Sequence, residues 1–227
     1  MLPLLHTLVL VAAVFVARSA VSAADCRTVK QGAHYATLIP FHGLKSEATI
    51  SSRVQFTNTS ARYLFPADEN KGQLCTSSWN KLWGAVRCGY LTSNHKDSDR
   101  FVFRRAGSCL SYESGRVTGE NKNCPEIDLI EIAAYAYDNS VKPFESPARL
   151  LREFSTKLRI DTWYKVTLIF EEALTTYQLF DQNDQLLETH SIVHRQCKDY
   201  KLGMMQDLYF GGQCPAPQAV TVCYEKA

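Results

Sequence analysis

CPEIDLIEIAAYAYD, residues 124–138, decides how this chain folds. Its Ile, Leu, Ala and Tyr content predicts a buried strand, yet Glu126, Asp128 and Glu131 sit in its first half. Side chains on a strand alternate between faces. Strict alternation sends Glu126 and Asp128 one way and Glu131 the other, among the aliphatic residues, at a cost of several kcal/mol for an unpaired carboxylate. One extra residue near Leu129-Ile130, a β-bulge, removes the conflict. Glu126, Asp128, Glu131, Ala133, Tyr135 and Tyr137 then share one face, and Ile127, Leu129, Ile130, Ile132, Ala134 and Ala136 share the other. The stretch reads as a bulged strand with an apolar back and a front carrying acids followed by tyrosines.

Outward from this stretch, short alternating runs recur with turn signals between them, and helical periodicity is almost absent. Residues 163–171 (WYKVTLIFE) place Tyr164, Val166, Leu168 and Phe170 on one face. Residues 176–180 and 185–193 form a hairpin about the turn Asp181-Gln182-Asn183-Asp184. Residues 219–225 align Val220, Val222 and Tyr224, and residues 207–210 predict a short strand. Upstream, residues 47–57, 81–91 and 100–104 read as strands, with Gly84 and Gly89 marking bulges or close approach in the second. Residues 147–154 are the one helix expected, with Ser146 as cap and Pro147 first. The polar segment 106–125 reads as a long loop pinned by disulfides. The fold class is an all-β antiparallel sandwich, a jelly roll.

Residues 4–16 form an apolar run too short to span a bilayer and lead to Val21-Ser22-Ala23, a small-residue cleavage pattern. Residues 1–23 are therefore expected to be a signal peptide and residues 24–227 a single secreted domain, with no membrane span after cleavage. All eight cysteines (Cys26, Cys75, Cys88, Cys109, Cys124, Cys197, Cys214 and Cys223) lie in that domain, and an even count in an exported chain predicts disulfides whose pairing the sequence leaves open. Asn58-Thr59-Ser60 is a glycosylation acceptor. Removing residues 1–23 takes away Arg18 alone, leaving 24 basic and 23 acidic side chains. That balance argues against a nucleic-acid partner, which requires a clustered basic surface.

The run Glu126-Ile127-Asp128-Leu129-Ile130-Glu131 resembles the E-x-D-x-x-E signature of family 16 glycoside hydrolases. Those are jelly rolls of the concanavalin A-like lectin and glucanase kind. The resemblance implies Glu126 as nucleophile, Glu131 as acid/base and Asp128 as the residue tuning the pair. Retaining hydrolysis needs two carboxyls roughly 5 Å apart. A Trp-led strand at Trp163 and the Asp181 hairpin also fit that layout. Pro125 before the motif and Ile132-Ala133-Ala134 after it depart from the family pattern.

Trp79 and Trp83 lie between Cys75 and Cys88, with Tyr90 two residues beyond, and the two tryptophans with Tyr135 and Tyr137 are candidate sugar-binding aromatics. His190 and His194 stand four apart, but the alternating LLETHSIVH around them places them on a strand rather than at a helical zinc site. No cofactor is expected. Calcium is the one possible exception, at Asp97-x-Asp99 or Asp181-x-Asn183-Asp184. The expected function is glycan binding on a concave sheet, with a polysaccharide or glycoconjugate as partner. The alternatives are a retaining β-glucan hydrolase and an extracellular protein-interaction domain.

Overall fold

A computed structural model describes residues 24–36, 41–45, 47–65, 75–88, 97–113, 116–138, 149–196, 203–211 and 214–227. Its strands in chain order are β1 (Asp25–Val29), β2 (Phe41–Lys45), β3 (Thr49–Phe56), β4 (Asn80–Val86), β5 (Ser98–Arg105), β6 (Leu110–Glu113), β7 (Arg116–Glu120), β8 (Leu129–Tyr137), β9 (Arg149–Glu153), β10 (Leu158–Arg159), β11 (Trp163–Phe170), β12 (Leu174–Phe180), β13 (Leu186–Val193), β14 (Gly203–Gln206) and β15 (Val220–Lys226). One sheet has the order β1-β15-β3-β11-β12-β13; the other runs β10-β8-β5-β4-β14-β2, with β9 also paired to β8. Every pairing is antiparallel. The hairpin β6–β7 stands apart as a two-stranded ribbon.

The alternation in the sequence builds the core between these sheets. Tyr164, Val166, Leu168 and Phe170 of β11 and Val220, Val222 and Tyr224 of β15 are buried there. From the second sheet come Leu82, Trp83, Phe101, Phe103, Ile130 and Ile132. Phe56 meets Phe103 at 5.1 Å between ring centroids, and Phe101 meets Tyr177 at 5.4 Å. Disulfides join Cys26–Cys223, Cys75–Cys214 and Cys109–Cys124. Cys88 is also disulfide-bonded, and Cys197 lies outside the described residues, as do residues 1–23, Gly89 and Tyr90.

Four expectations are corrected. The β8 register against β5 runs from Asp99↔Ala136 to Arg105↔Ile130 without a slip, so β8 carries no bulge. The acids are accommodated by starting the strand later. Residues 125–128 form turns, held by Ile127 N donating to Cys124 O and Leu129 N to Glu126 O at 3.2 and 3.0 Å. Pro125 has no N–H for a ladder, and Cys124 is tied back to Cys109, so the chain turns here more cheaply than it bulges. Leu129 therefore falls on the Glu131 face and not on the apolar back.

The helix expected at residues 147–154 is instead strand β9, paired with β8 from Tyr137↔Arg149 to Ala133↔Glu153. A lone two-turn helix is marginal, whereas an open sheet edge offers a ladder of hydrogen bonds. Segment 106–125 holds a 3-10 turn at Gly107–Cys109 and the β6–β7 hairpin, closed by its own disulfide. The short strand near 207–210 is reduced to isolated bridges of Tyr209 to Tyr35 and Lys81, and its neighbour β14 is the strand.

A bulge does occur in β4, where the register against β5 shifts between Lys81 and Trp83. It turns both Leu82 and Trp83 into the core and sends Lys81 to the opposite face. Gly84 sits where a Cβ would lie 2.1 Å from Asp99 O and 2.7 Å from Arg100 Cα, so the β4–β5 contact requires glycine.

Candidate functional site

The outer face of the second sheet is the side of β8 that Glu131, Ala133, Tyr135 and Tyr137 occupy. β5 lays Arg100 opposite Tyr135, Val102 opposite Ala133 and Arg104 opposite Glu131. In β5 the residues between them, Phe101 and Phe103, enter the core, so period-two alternation puts the two arginines and Val102 outside. Val102, Ala133, Tyr135 and Tyr137 form a small apolar cluster of their own, with Trp79 and Leu151 packed against it.

At one end of this face cations meet phenols. Arg100 is 3 % exposed, Lys81 6 %, Tyr135 5 % and Tyr137 7 %. The Lys81 ammonium lies 4.9 Å from the centroid of Tyr209 and 5.9 Å from that of Tyr135. Tyr135 and Tyr137 contact edge to face at 5.0 Å, and Tyr35 meets Tyr209 in the same way at 4.8 Å. His34 stacks on Tyr209 and donates to Phe210 O through Nδ1 at 2.9 Å. Burial lowers the Arg100 guanidinium to about 10, against the pull of the Tyr137, Tyr135, Tyr35 and Tyr209 phenols. Burial raises the Tyr209 phenol, with Tyr35 and Tyr137 adding to the effect and Arg100 opposing it. The cluster reaches water at Tyr35, which is 38 % exposed.

At the other end lie the three acids from the first half of the quoted stretch, each joined to a cation. Arg104 Nε donates to Glu131 at 2.6 Å, and Gly107 N donates to its other oxygen at 3.3 Å. Glu126 accepts from Lys157 Nζ at 2.8 Å and from the Ser108 hydroxyl, and these bonds, Lys157 first, hold its carboxyl below the ordinary range. Asp128 is drawn elsewhere, to Arg62 at 2.7 Å. The Gly107–Ser108 turn thus gathers Glu126 and Glu131 but not Asp128. Arg104 also reaches Glu153 and covers Trp79 with its guanidinium carbon 4.2 Å from the ring centroid.

The remaining candidates divide clearly. Trp83 is a core residue, 4 % exposed, and is corrected from a ligand-binding residue to a packing one. Asp97 and Asp99 are buried and paired with Arg195 and Arg87. Asp181 caps its own turn by accepting from Asn183 N and Gln185 N, while Asp184 pairs with Arg53 and Lys165. Among the described residues no group of three or more His, Cys, Asp or Glu is placed to hold a metal ion. His190 bonds Glu188 at 3.0 Å along β13, and His194 lies past the strand end in the interior, so the two do not converge. Asn58 is exposed at the start of the short helix α1 (Asn58–Ala61).

Sequence reading missed Lys81, Arg100, Tyr35 and Tyr209. For Arg100 a signal existed in the alternation of residues 98–105, SDRFVFRR. Tyr35 and Tyr209 come from segments remote in sequence and carry no local signal.

No protein-family model matches the chain, and no curated protein matches it. Solved structures of similar fold include an alginate lyase from Chlorella virus (10 % identity, TM-score 0.44, covering 92 % of this chain and 87 % of that one). A family 16 glycoside hydrolase of the Bacteroides ovatus mixed-linkage glucan locus, in complex with a G4G4G3G product, is similar at 10 % identity and TM-score 0.40, covering 89 % and 79 %. Lectin I of Ulex europaeus, bound to the methyl glycoside of α-L-fucose, is similar at 12 % identity and TM-score 0.26, covering 84 % and 77 %. The chain is a disulfide-bonded antiparallel β-sandwich. Likeness at this level says nothing of its chemistry.

Proposed function

We propose that the outer face of the second sheet binds an acidic polysaccharide built of uronic acid units and cleaves it by β-elimination. Two buried cations, Lys81 and Arg100, set among Tyr35, Tyr135, Tyr137 and Tyr209, carry this reading. A guanidinium meets a carboxylate in a two-point fork, and away from water that contact strengthens. Tyrosine rings beside it offer faces to the sugar and hydroxyls to its polar groups.

Elimination at a uronate needs three things at one place. A cation must neutralise the carboxylate so that the C5 proton becomes acidic, a base must take that proton, and an acid must protonate the departing O4. Arg100 is the neutralising group. Tyr135, reacting as its phenolate beside the Arg100 and Lys81 cations, takes the proton with Tyr137 next to it, and Tyr209, kept protonated by burial, is the donor. The C5–H electron pair becomes the C4=C5 double bond as the C4–O4 bond breaks with its own pair. One proton leaves to the base and one returns from a phenol, so the step consumes no water.

Retaining hydrolysis by Glu126 and Glu131 is the weaker reading. The two acids share one turn, but each is already neutralised, by Lys157 and by Arg104. The disulfides fit an oxidising compartment, so secretion with residues 1–23 as signal peptide and sugar on Asn58 belongs to the same proposal.

Purified protein incubated with alginate, polygalacturonate and neutral β-glucan tests this. The expected result is ultraviolet absorbance of an unsaturated uronate from a polyuronate, lost in Arg100→Met and kept in Glu126→Gln. Reducing ends released from neutral glucan without that absorbance, and abolished by Glu126→Gln, would overturn it in favour of hydrolysis. Binding to no polyuronate would overturn it outright.

A further inference from the structure

Behind β8, between the two sheets, lies a buried polar network that the proposed chemistry does not use. Arg87, Asp99, Thr175 and Tyr177 are each 0 % exposed and His194 is 5 % exposed. Arg87 follows β4 and Asp99 sits on β5. Thr175 and Tyr177 come from β12 of the opposite sheet, and His194 follows β13. Arg87 and Asp99 form an ion pair through Nε. Arg87 also donates through its second terminal nitrogen to Tyr137 O at 2.7 Å. The Tyr177 hydroxyl stands 2.9 Å from Asp99 Oδ1 and 3.0 Å from Tyr135 O, so its proton is shared between carboxylate and carbonyl.

The rest of the network fixes these two side chains. Nδ1 of His194 lies 2.9 Å from Arg87, which can only donate, and 2.9 Å from the Arg195 carbonyl, which can only accept. Thr175 Oγ1 donates to Asp99 Oδ2 at 3.1 Å and so accepts from His194 Nε2–H at 3.0 Å. Contacts thus run from Asp99 through Thr175 and His194 to Arg87. Burial, with Arg87 adding to it and Asp99 opposing, holds His194 below its ordinary range.

A buried ion pair is a poor source of stability, since apolar residues of similar volume pack as well. Its value lies in where it holds other groups. Tyr135 and Tyr137 are the two phenols facing outward beside Arg100, and their carbonyls are the backbone atoms that Tyr177 and Arg87 touch from within. The same device recurs on the neighbouring strand: the Tyr224 hydroxyl, from the first sheet, donates 2.9 Å to Leu82 O, beside Lys81 at the β4 bulge.

We infer that Tyr177 and Arg87 are positioning residues, which grip the backbone of Tyr135 and Tyr137 from inside the sandwich and so set the aim of both phenols on the outer face. This rests on the reading of that face as the reactive site. It assigns a role to residues that touch no substrate.

Tyr177→Phe keeps the ring in the core and removes only the hydroxyl. Arg87→Lys is the second variant, since it keeps a charge for Asp99 but lacks the fork that reaches Tyr137 O. Tyr164→Phe is the control, because it loses a buried hydroxyl that accepts from Arg159 N at 3.1 Å, away from the face. Both test variants should lower kcat on polyuronate roughly ten- to hundredfold with KM within about twofold, and should shift the pH profile, as a misaimed group does. Tyr164→Phe should do neither. In protein carrying ¹³C-labelled tyrosine, the carbonyl resonances of Tyr135 and Tyr137 should move in Tyr177→Phe and stay in Tyr164→Phe.

Unchanged kcat and pH profile in Tyr177→Phe and Arg87→Lys, or equal losses in all three variants, would overturn the inference. If the wild type acts on no polyuronate, the functional proposal falls, and the carbonyl resonances alone decide the positioning role: a shift sustains it and its absence removes it.

Discussion

The outer face of β8 carries charge at both ends, and the two ends treat it in opposite ways. At the Glu131 end every carboxylate meets a cation: Glu131 with Arg104, Glu126 with Lys157, Asp128 with Arg62. These pairs are partly exposed, between 18 % and 47 % on each side chain, so water screens them and each contributes little. At the Tyr137 end Arg100 and Lys81 are almost wholly buried and surrounded by tyrosine rings. Ion pairs in water need no ligand. Cations sunk among phenols are screened little by water, so their charge acts at greater strength.

Ile130→Asp should sharpen this contrast most, since it places a carboxylate in the core one residue from Glu131. We expect a loss of about 4 kcal/mol or more in denaturant unfolding, enough to prevent folding. Survival of the fold would mean that the face assignment of β8 is wrong. Next come the two arginines of β5. Arg100→Met should weaken polyuronate binding at least about thirtyfold, near 2 kcal/mol, whereas Arg104→Met should stay within about threefold. Equal effects in calorimetry would erase the difference between the ends.

A smaller effect concerns pH. His194 has its folded-state value held below 6.5 by burial, so the unfolded chain binds the proton more readily. Its contribution is complete above pH 6.5 and is lost as pH falls below it. Thermal unfolding should show the wild type losing stability between neutral pH and pH 5, with His194→Gln flattening that slope. Smallest is Glu131→Gln, which should change stability by no more than about 1 kcal/mol, because the amide oxygen still accepts from Arg104 and only the longer Gly107 contact, 3.3 Å, is given up.

Much of the sandwich was legible before any coordinates. β11, β15 and the β12–β13 hairpin follow from period-two alternation, because each has one face against the core and one toward water. The pairing of Glu131 with Tyr135 and Tyr137 on one side of β8 was readable for the same reason. The bulge was not, because alternation cannot tell an extra residue inside a strand from a strand that begins later; Pro125 and the Cys109–Cys124 bond decided for the second. β9 was hidden because Pro147 reads as a helix start, while what shapes that segment is the open edge of β8. Tyr209 and Tyr35 join the site only through tertiary bridges, which local pattern cannot encode.

The Cys26–Cys223 bond has a practical result. It links residues 197 positions apart on adjacent strands β1 and β15, so nearly the whole polypeptide is closed into one covalent loop. A protease that cuts once at the exposed turn around Asn183 would leave the two fragments tethered, running as a single species until the bond is reduced.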